Sequence, residues 1–95
     1  MFCQKMKKHL NIKITGKVQG VWYRGSTKRK AEALGLVGFV RNEPDGSVYA
    51  EVEGNENDLK TLVKWCKEGP PLAKVISVET EEAEMKNFTE FVVQR

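Results

Sequence analysis

The stretch Gly16-Lys17-Val18-Gln19-Gly20-Val21-Trp22-Tyr23-Arg24 follows an alternating apolar run and precedes a helix-compatible segment, which predicts a strand-to-helix loop. Gly16 and Gly20 lack a Cβ, so the backbone can turn tightly and expose successive N–H groups there. A helix that begins at the end of the loop adds unpaired N–H donors and a partial positive charge, and both favour an anion. Arg24 adds a charged guanidinium fork that matches two phosphate oxygens. The stretch is therefore predicted to bind a phosphoryl group.

A strand and a helix are predicted on the two sides of this loop. Residues 10–15 alternate apolar and polar side chains, the period-2 pattern of a strand with one solvated face. Residues 23–34 place apolar side chains at helical spacing, and Gly35 is predicted to end that helix. The loop thus connects two regular elements.

A hairpin and a second helix are predicted next. Residues 37–42 and 48–53 have strand-like patterns, and Glu43-Pro44-Asp45-Gly46 has proline and glycine where a four-residue turn favours them. Asn55 is predicted to begin a helix that ends at Gly69-Pro70-Pro71. The apolar stripe of this helix consists of Leu59, Leu62, Val63 and Cys66.

The last part of the chain has two further strand-like runs, residues 74–81 and 88–93, joined by the acidic segment 81–87. The predicted order is β-α-β-β-α-β with an extra C-terminal strand. We therefore expect an α+β fold, the ferredoxin-like two-layer sandwich, with two helices on one face of a mainly antiparallel sheet. The opposite face is expected to be free or only lightly covered. Since many unrelated functions use this fold, the function must come from the site.

Length and composition indicate one small globular domain over residues 1–95, with residues 1–8 as a possible disordered N-terminus. No apolar run approaches the roughly 20 residues that span a bilayer, and the basic N-terminus lacks the apolar region of a secretory signal. Cys3 and Cys66 could pair, but reduced thiols in a cytoplasmic protein are the favoured interpretation.

Charge is distributed unevenly along the chain. Residues 1–50 contain ten Lys and Arg against three Asp and Glu, whereas residues 51–95 contain six against ten. A basic half that includes the glycine loop suits an anionic ligand. Two interpretations of Lys28, Arg29 and Lys30 stay open, either contact with that ligand or only the solvated face of a helix. The charge alone does not distinguish a small phosphate compound from nucleic acid.

Several phosphate chemistries are excluded by inspection. The sequence has no G-x-x-x-x-G-K-[ST] run, which excludes a nucleotide-hydrolysing P-loop. Neither cysteine lies beside an arginine-capped loop, so a thiolate phosphatase is not expected. His9 is the single histidine, so a histidine relay or a multi-histidine metal site is not expected; we predict that His9 caps the surface end of the first strand. Four carboxylates near the C-terminus lack metal-ligand spacing and are interpreted as a solvated acidic edge: Glu79, Glu81, Glu82 and Glu84.

Asn42 ends the second predicted strand. In a ferredoxin-like order that strand runs parallel to the first, with the third between them, so Asn42 is expected at the same end of the sheet as the glycine loop. A neutral amide is no general base near pH 7, but it can hydrogen-bond and orient a water molecule. The alternative is a turn residue that caps its own backbone before Glu43-Pro44.

The residues also resemble a known family, the acylphosphatases, over nearly the whole chain. The motifs are the stretch from Gly16 to Arg24, then Leu34-Gly35-Leu36-Val37-Gly38-Phe39-Val40-Arg41-Asn42, Asp45-Gly46-Ser47-Val48 and Gly69-Pro70-Pro71-Leu72-Ala73-Lys74-Val75. A lone Gly-x-x-x-Gly is weak evidence, but the long loop motif followed by Val-Arg-Asn and Asp-Gly at this spacing is specific. Trp22-Tyr23 and Phe39 stand where the family often has other aromatic residues.

The resemblance implies hydrolysis of the carboxyl–phosphate bond of acyl phosphates, without a metal or another cofactor. Arg24 matches the phosphate-binding arginine of the family and Asn42 its water-orienting asparagine. The phosphate cradle is matched by the backbone amides of Gln19, Gly20, Val21, Trp22, Tyr23 and Arg24. The expected partners are a small-molecule acyl phosphate and inorganic phosphate, as product or inhibitor. We expect a monomer that binds neither nucleic acid nor a membrane.

Two other functions are compatible with this architecture. RNA-recognition domains share the element order, and Gly38-Phe39-Val40 faintly resembles part of their signature, but the first predicted strand has no aromatic platform. The second is a domain with the same architecture that binds an anion without turning it over. Intact Arg24 and Asn42 argue against that alternative.

Overall fold

The computed structural model describes residues 7–94. The elements are β1 (Lys7–Lys17), α1 (Tyr23–Ala33), β2 (Val37–Asn42), β3 (Val48–Asn55), α2 (Glu56–Cys66), β4 (Lys74–Ala83) and β5 (Phe91–Val93). The predicted order is confirmed. Lys7 and Lys8 belong to β1, although the sequence placed them in a possible disordered N-terminus, and residues 1–6 lie outside the described part of the chain.

The sheet has the strand order β4-β1-β3-β2-β5. All neighbouring pairs are antiparallel except β2 and β5, so the predicted ferredoxin-like α+β sandwich with a mainly antiparallel sheet is confirmed. Because β3 is antiparallel to both β1 and β2, those two strands run parallel and end at the same edge. Val48 of β3 pairs with Ile14 on one side and with Asn42 on the other, which sets the level of Asn42 two residues before Gly16.

The core lies between one face of the sheet and the two helices. The helices bury Tyr23, Thr27 and Ala31 from α1 and Leu59, Leu62 and Cys66 from α2. The sheet contributes Ile12, Ile14, Val40, Val48, Ala50 and Val52. The Tyr23 hydroxyl donates a hydrogen bond to the Cys66 carbonyl at 2.6 Å, so it joins the helices directly beside Arg24. Burial raises the pKa of the Cys66 thiol to about 11, which keeps the thiol protonated; Cys3, its possible partner from the sequence, lies outside the described residues.

The opposite face of the sheet holds a buried polar cluster centred on His9 and Glu53. His9 is fully buried rather than at a surface end, and its Nδ1–H donates to Glu53 Oε2 at 2.7 Å. The backbone amides of Lys86 and Phe88 donate to the same carboxylate. The prediction for His9 was therefore wrong, because a carboxylate 44 residues away gives the imidazole a partner inside the fold.

Residues 84–90 (the 84–90 segment) cross this face and cover the cluster. Two strands differ from the prediction. β4 continues to Ala83 because Glu82 and Ala83 pair with Leu10 and His9 of β1. β5 is only Phe91–Val93, because the amide of Phe88 bonds to Glu53 instead of to a strand. Within residues 7–94, no helix is both long and apolar enough to cross a membrane.

Glu53 gives the fold a specific dependence on pH. Burial favours the neutral form, but hydrogen bonds from the Lys86 amide, His9 and the Phe88 amide outweigh it and lower the pKa from 4.5. Stability from this carboxylate is therefore present above pH 4.5 and is lost as the pH falls through the lower pKa of the folded state.

We expect Glu53→Gln to lower the free energy of unfolding at neutral pH by about 1–3 kcal/mol, because a charged acceptor of three hydrogen bonds is lost. Below the usual carboxylate pKa the difference between variant and wild type should shrink, since the wild-type group is then also neutral. Urea unfolding of both proteins, at neutral pH and at several pH values below 4.5, measures the two effects. Glu90→Gln, at an exposed side chain, is the control, and an equal effect in both variants would contradict the role of Glu53.

Candidate active site

The loop between β1 and α1 is held by its apolar side chains. Val18, Val21 and Tyr23 are buried in the core, whereas Gly20 and Trp22 face outward. Gly20 has φ 76° and Trp22 has φ 67°, both in the left-handed region. For a bulky residue such as tryptophan this conformation costs about 1–2 kcal/mol. The buried neighbours on both sides impose that shape on the loop.

The backbone amides of the loop are free to bind a ligand. Within residues 7–94, no hydrogen bond from an amide between Gln19 and Trp22 reaches another protein atom. The first bond of α1 runs from the Ser26 amide to the Trp22 carbonyl at 2.9 Å. The amides of Tyr23 and Arg24 therefore lie in the first turn, where the helix itself offers no acceptor. Together these donors and the helix dipole favour an anion.

The Gln19 side chain ties the loop to the turn that follows β2. Its Nε2 donates to the Glu43 carbonyl at 2.8 Å and to the Ser47 carbonyl at 2.9 Å. The sequence predicted a role for the Gln19 amide but not for this side chain. No spacing rule links residues 19 and 43, so a sequence pattern does not predict the contact.

Arg24, the second residue of α1, reaches the C-terminal strand. Its Nη1 donates to the Gln94 carbonyl at 3.0 Å, and the Gln94 amide donates to the Val40 carbonyl of β2 at 2.8 Å. This chain of bonds holds the guanidinium beside the end of β2 with most of its donors still available. Gln94 was missed in the sequence because its position depends on the pairing of the three-residue strand β5.

Asn42 ends β2, and its Oδ1 is buried without a hydrogen-bond partner among residues 7–94. The Asn42 side chain therefore does not cap the following turn, which was the alternative from the sequence. Asp45 has that role, since its Oδ1 accepts from the Ser47 amide at 2.9 Å. A buried amide oxygen without a partner costs about 1–3 kcal/mol, and such groups in native proteins call for a functional explanation.

Arg24 and Asn42 line one open cavity of about 510 Å³ at this edge of the sheet. The complete lining consists of Val18, Gly20, Trp22, Tyr23, Arg24, Gly25, Asn42 and Val93. The two side chains that the sequence singled out are thus brought together, with part of the loop between them. Among the described residues, the lining contains no histidine, cysteine or carboxylate that could serve as a base or nucleophile.

Within residues 7–94, no three His, Cys, Asp or Glu side chains come together as a metal site. The carboxylates of the predicted acidic edge, Glu79, Glu81, Glu82 and Glu84, lie exposed on β4 and just after it.

The chain is similar to acylphosphatases in both sequence and structure. A family model described as Acylphosphatase matches residues 10–93. An acylphosphatase of Methylococcus capsulatus is 48% identical over 89 residues, which cover 93% of this chain and 97% of the relative. The solved structure of a Coxiella burnetii acylphosphatase has a TM-score of 0.92 at 36% identity and covers 98% of this chain and 100% of its own. The Bacillus subtilis acylphosphatase structure has a TM-score of 0.90 at 32% identity, with 95% and 100% covered.

We expect Gln19→Ala to weaken the binding of inorganic phosphate severalfold and to lower the free energy of unfolding by about 1–2 kcal/mol, because two carbonyl groups lose their common donor. Isothermal titration with phosphate and urea unfolding measure the two effects. The control is Thr61→Ala, which removes a hydrogen bond from a side chain to the backbone on the exposed face of α2. If Gln19→Ala keeps the wild-type phosphate affinity, the two hydrogen bonds of the Gln19 side chain do not shape the loop for binding.

Proposed function

The chain belongs to the acylphosphatase family and hydrolyses acyl phosphates, and we propose that Arg24 and the loop amides bind the phosphoryl group while Asn42 orients the attacking water. The observation that supports this most directly is the single cavity lined by Arg24, Asn42 and the loop. The amides assigned to the phosphate are those of Gln19, Gly20, Val21, Trp22, Tyr23 and Arg24.

Arg24 and the loop amides would act by electrostatic stabilisation. Charge on the phosphoryl oxygens is spread over three equatorial positions in the transition state of phosphoryl transfer. A guanidinium fork and several N–H donors suit that distribution, and donors fixed beforehand need no reorganisation during the reaction. Hydrogen bonds hold these donors in place before the substrate binds. Arg24 bonds to the Gln94 carbonyl, and the Gln19 side chain bonds to two carbonyls of the turn after β2.

Asn42 would position the water molecule. Its amide can accept a hydrogen bond at Oδ1 and donate from Nδ2, but it does not take up a proton near pH 7. The unpartnered Oδ1 supports this role, since the fold does not use that acceptor itself. Positioning a nucleophile in line with the bond to be broken can contribute a large part of a rate enhancement.

In the reaction that we propose, the water oxygen forms a bond to phosphorus as the bond from phosphorus to the acyl oxygen breaks. The electron pair of that bond leaves with the acyl oxygen as a carboxylate, and a water proton passes to a phosphoryl oxygen. Because the conjugate acid of a carboxylate has a pKa of roughly 4, the leaving group needs no general acid. The proposed mechanism uses no metal ion, and inorganic phosphate, as a product, would compete for the same cavity.

We also propose that the chain acts as a cytoplasmic monomer that does not bind nucleic acid. RNA-binding domains with this strand order stack bases on the sheet face opposite the helices. Here Glu51 and Glu53 are buried and hydrogen-bonded on that face, and the 84–90 segment covers part of it. A covering segment leaves less of the face open for bases to stack on.

The roles of Arg24 and Asn42 can be separated by substitution. We expect Arg24→Ala to weaken phosphate binding by about tenfold or more, since it loses charged hydrogen bonds, and to abolish measurable hydrolysis of benzoyl phosphate. Asn42→Ala should lower kcat by about 100-fold while phosphate affinity stays near that of the wild type, because only the water is misplaced. Lys64→Ala, at an exposed lysine of α2, is the control for charge. An equal loss of phosphate affinity in the Arg24 and Asn42 variants would show that Asn42 binds phosphate instead.

Substrate selectivity provides a second test. Benzoyl phosphate should have a kcat/KM at least about 100-fold above that of glycerol phosphate, because an alkoxide leaving group needs a general acid and the part of the cavity lining that the structure describes has none. Both rates are measured as phosphate release by the wild-type chain, with boiled protein as the blank. Comparable turnover of the two compounds would be incompatible with the proposed chemistry.

A further inference from the structure

One face of α1 extends the reaction cavity away from Arg24. Trp22, Gly25, Ser26 and Arg29 follow at i, i+3, i+4 and i+7, the spacing of neighbours on a helix face. These four residues line a second cavity of about 340 Å³. Trp22 and Gly25 also line the first cavity, so the two spaces share a wall.

Trp22 forms that wall in an unusual way. The residue is 81% exposed, although it follows the buried Val21 and precedes the buried Tyr23. Its left-handed backbone and the exposure of a large apolar ring both cost stability without any gain to the core. Gly25 leaves the ring accessible from the helix side, because a Cβ at this position would lie 3.5 Å from Trp22 Cε3. The indole therefore gives a flat apolar surface directly beside the site proposed for the phosphoryl group.

Arg29 lies at the far end of the second cavity. Its side chain is exposed and makes no ion pair or hydrogen bond with any of residues 7–94. The preceding residue, Lys28, pairs instead with Glu32 at 3.3 Å and lines neither cavity. A guanidinium without an acidic partner, next to an apolar wall, matches a planar oxyanion. This placement distinguishes Arg29 from an ordinary solvated lysine of the same helix.

We propose that the second cavity binds the acyl part of the substrate, and that the preferred substrates have a planar or apolar acyl group ending in a carboxylate. The acyl group would lie against Trp22, and its carboxylate would bind Arg29. The two cavities share Trp22 and Gly25, so an acyl group whose phosphoryl end lies in the first cavity can extend into the second. The proposal rests on the assignment of the phosphoryl group to Arg24 and the loop.

The test compares benzoyl phosphate with 4-carboxybenzoyl phosphate, and its readout is the ratio of kcat/KM for the charged over the neutral compound. We expect Arg29→Gln to lower this ratio by about three- to fivefold, the range of an exposed ion pair, and Arg29→Lys to retain most of it. The matched control Lys28→Gln removes the same charge one residue away and should leave the ratio at the wild-type value. Added salt should reduce the effect of Arg29→Gln, since exposed charges are screened.

A second variant tests the indole. Trp22→Gly suits the left-handed backbone and should lower the ratio of kcat/KM for benzoyl over acetyl phosphate, because only the aromatic acyl group contacts the ring. An unchanged ratio would show that the wall does not contact the acyl group and would overturn that part of the proposal.

The possible failures are distinguishable. The acyl subsite would be overturned if the kcat/KM ratio of the charged over the neutral compound changed equally in Arg29→Gln and Lys28→Gln. It would also be overturned if every variant kept the wild-type ratio. Both outcomes would leave the proposed function intact. A wild-type chain that hydrolyses neither benzoyl compound, or an Arg24→Ala variant that hydrolyses both at the wild-type rate, would overturn the proposed function and this inference with it.

Discussion

The position of β3 between β1 and β2, antiparallel to both, is the constraint on which the candidate site depends. It makes β1 and β2 parallel, and the shared partner Val48 brings Ile14 and Asn42 to the same level of the sheet. The loop after β1 and the residue that ends β2 must then open at one edge. A register shift of one residue would turn Asn42 to the other face, away from Arg24. The alternation of apolar core residues along β1 and β3 disfavours such a shift.

Different groups of the loop have separate tasks. Val18, Val21 and Tyr23 hold its shape by burial, and the Gln19 side chain joins it to the next turn. The backbone donors are thereby left free for an anion. The same arrangement exposes Trp22 at the border of the cavity. The strain of the loop is thus offset by the core, and the donors need little reordering when a phosphoryl group binds.

Sequence patterns were sufficient for the fold and for the meeting of Arg24 with Asn42, because both follow from local periodicity and a strand order with few alternatives. They did not predict hydrogen bonds between polar groups that are far apart in the sequence. His9 with Glu53, Gln19 with Glu43 and Arg24 with Gln94 are contacts of this kind. Hydrogen bonds between such pairs leave no periodic signal, since neither residue constrains the neighbours of the other.

Titration of ¹⁵N-labelled protein with inorganic phosphate, followed by amide NMR spectra, is the most direct measurement of the central claim that this loop and Arg24 bind a phosphoryl group. We expect the largest shift changes at the amides of residues 19–24 and at the Nε–H of Arg24, with one common affinity. The account would be contradicted if these groups showed no shift changes and the changes appeared at residues 28–30 or in the 84–90 segment.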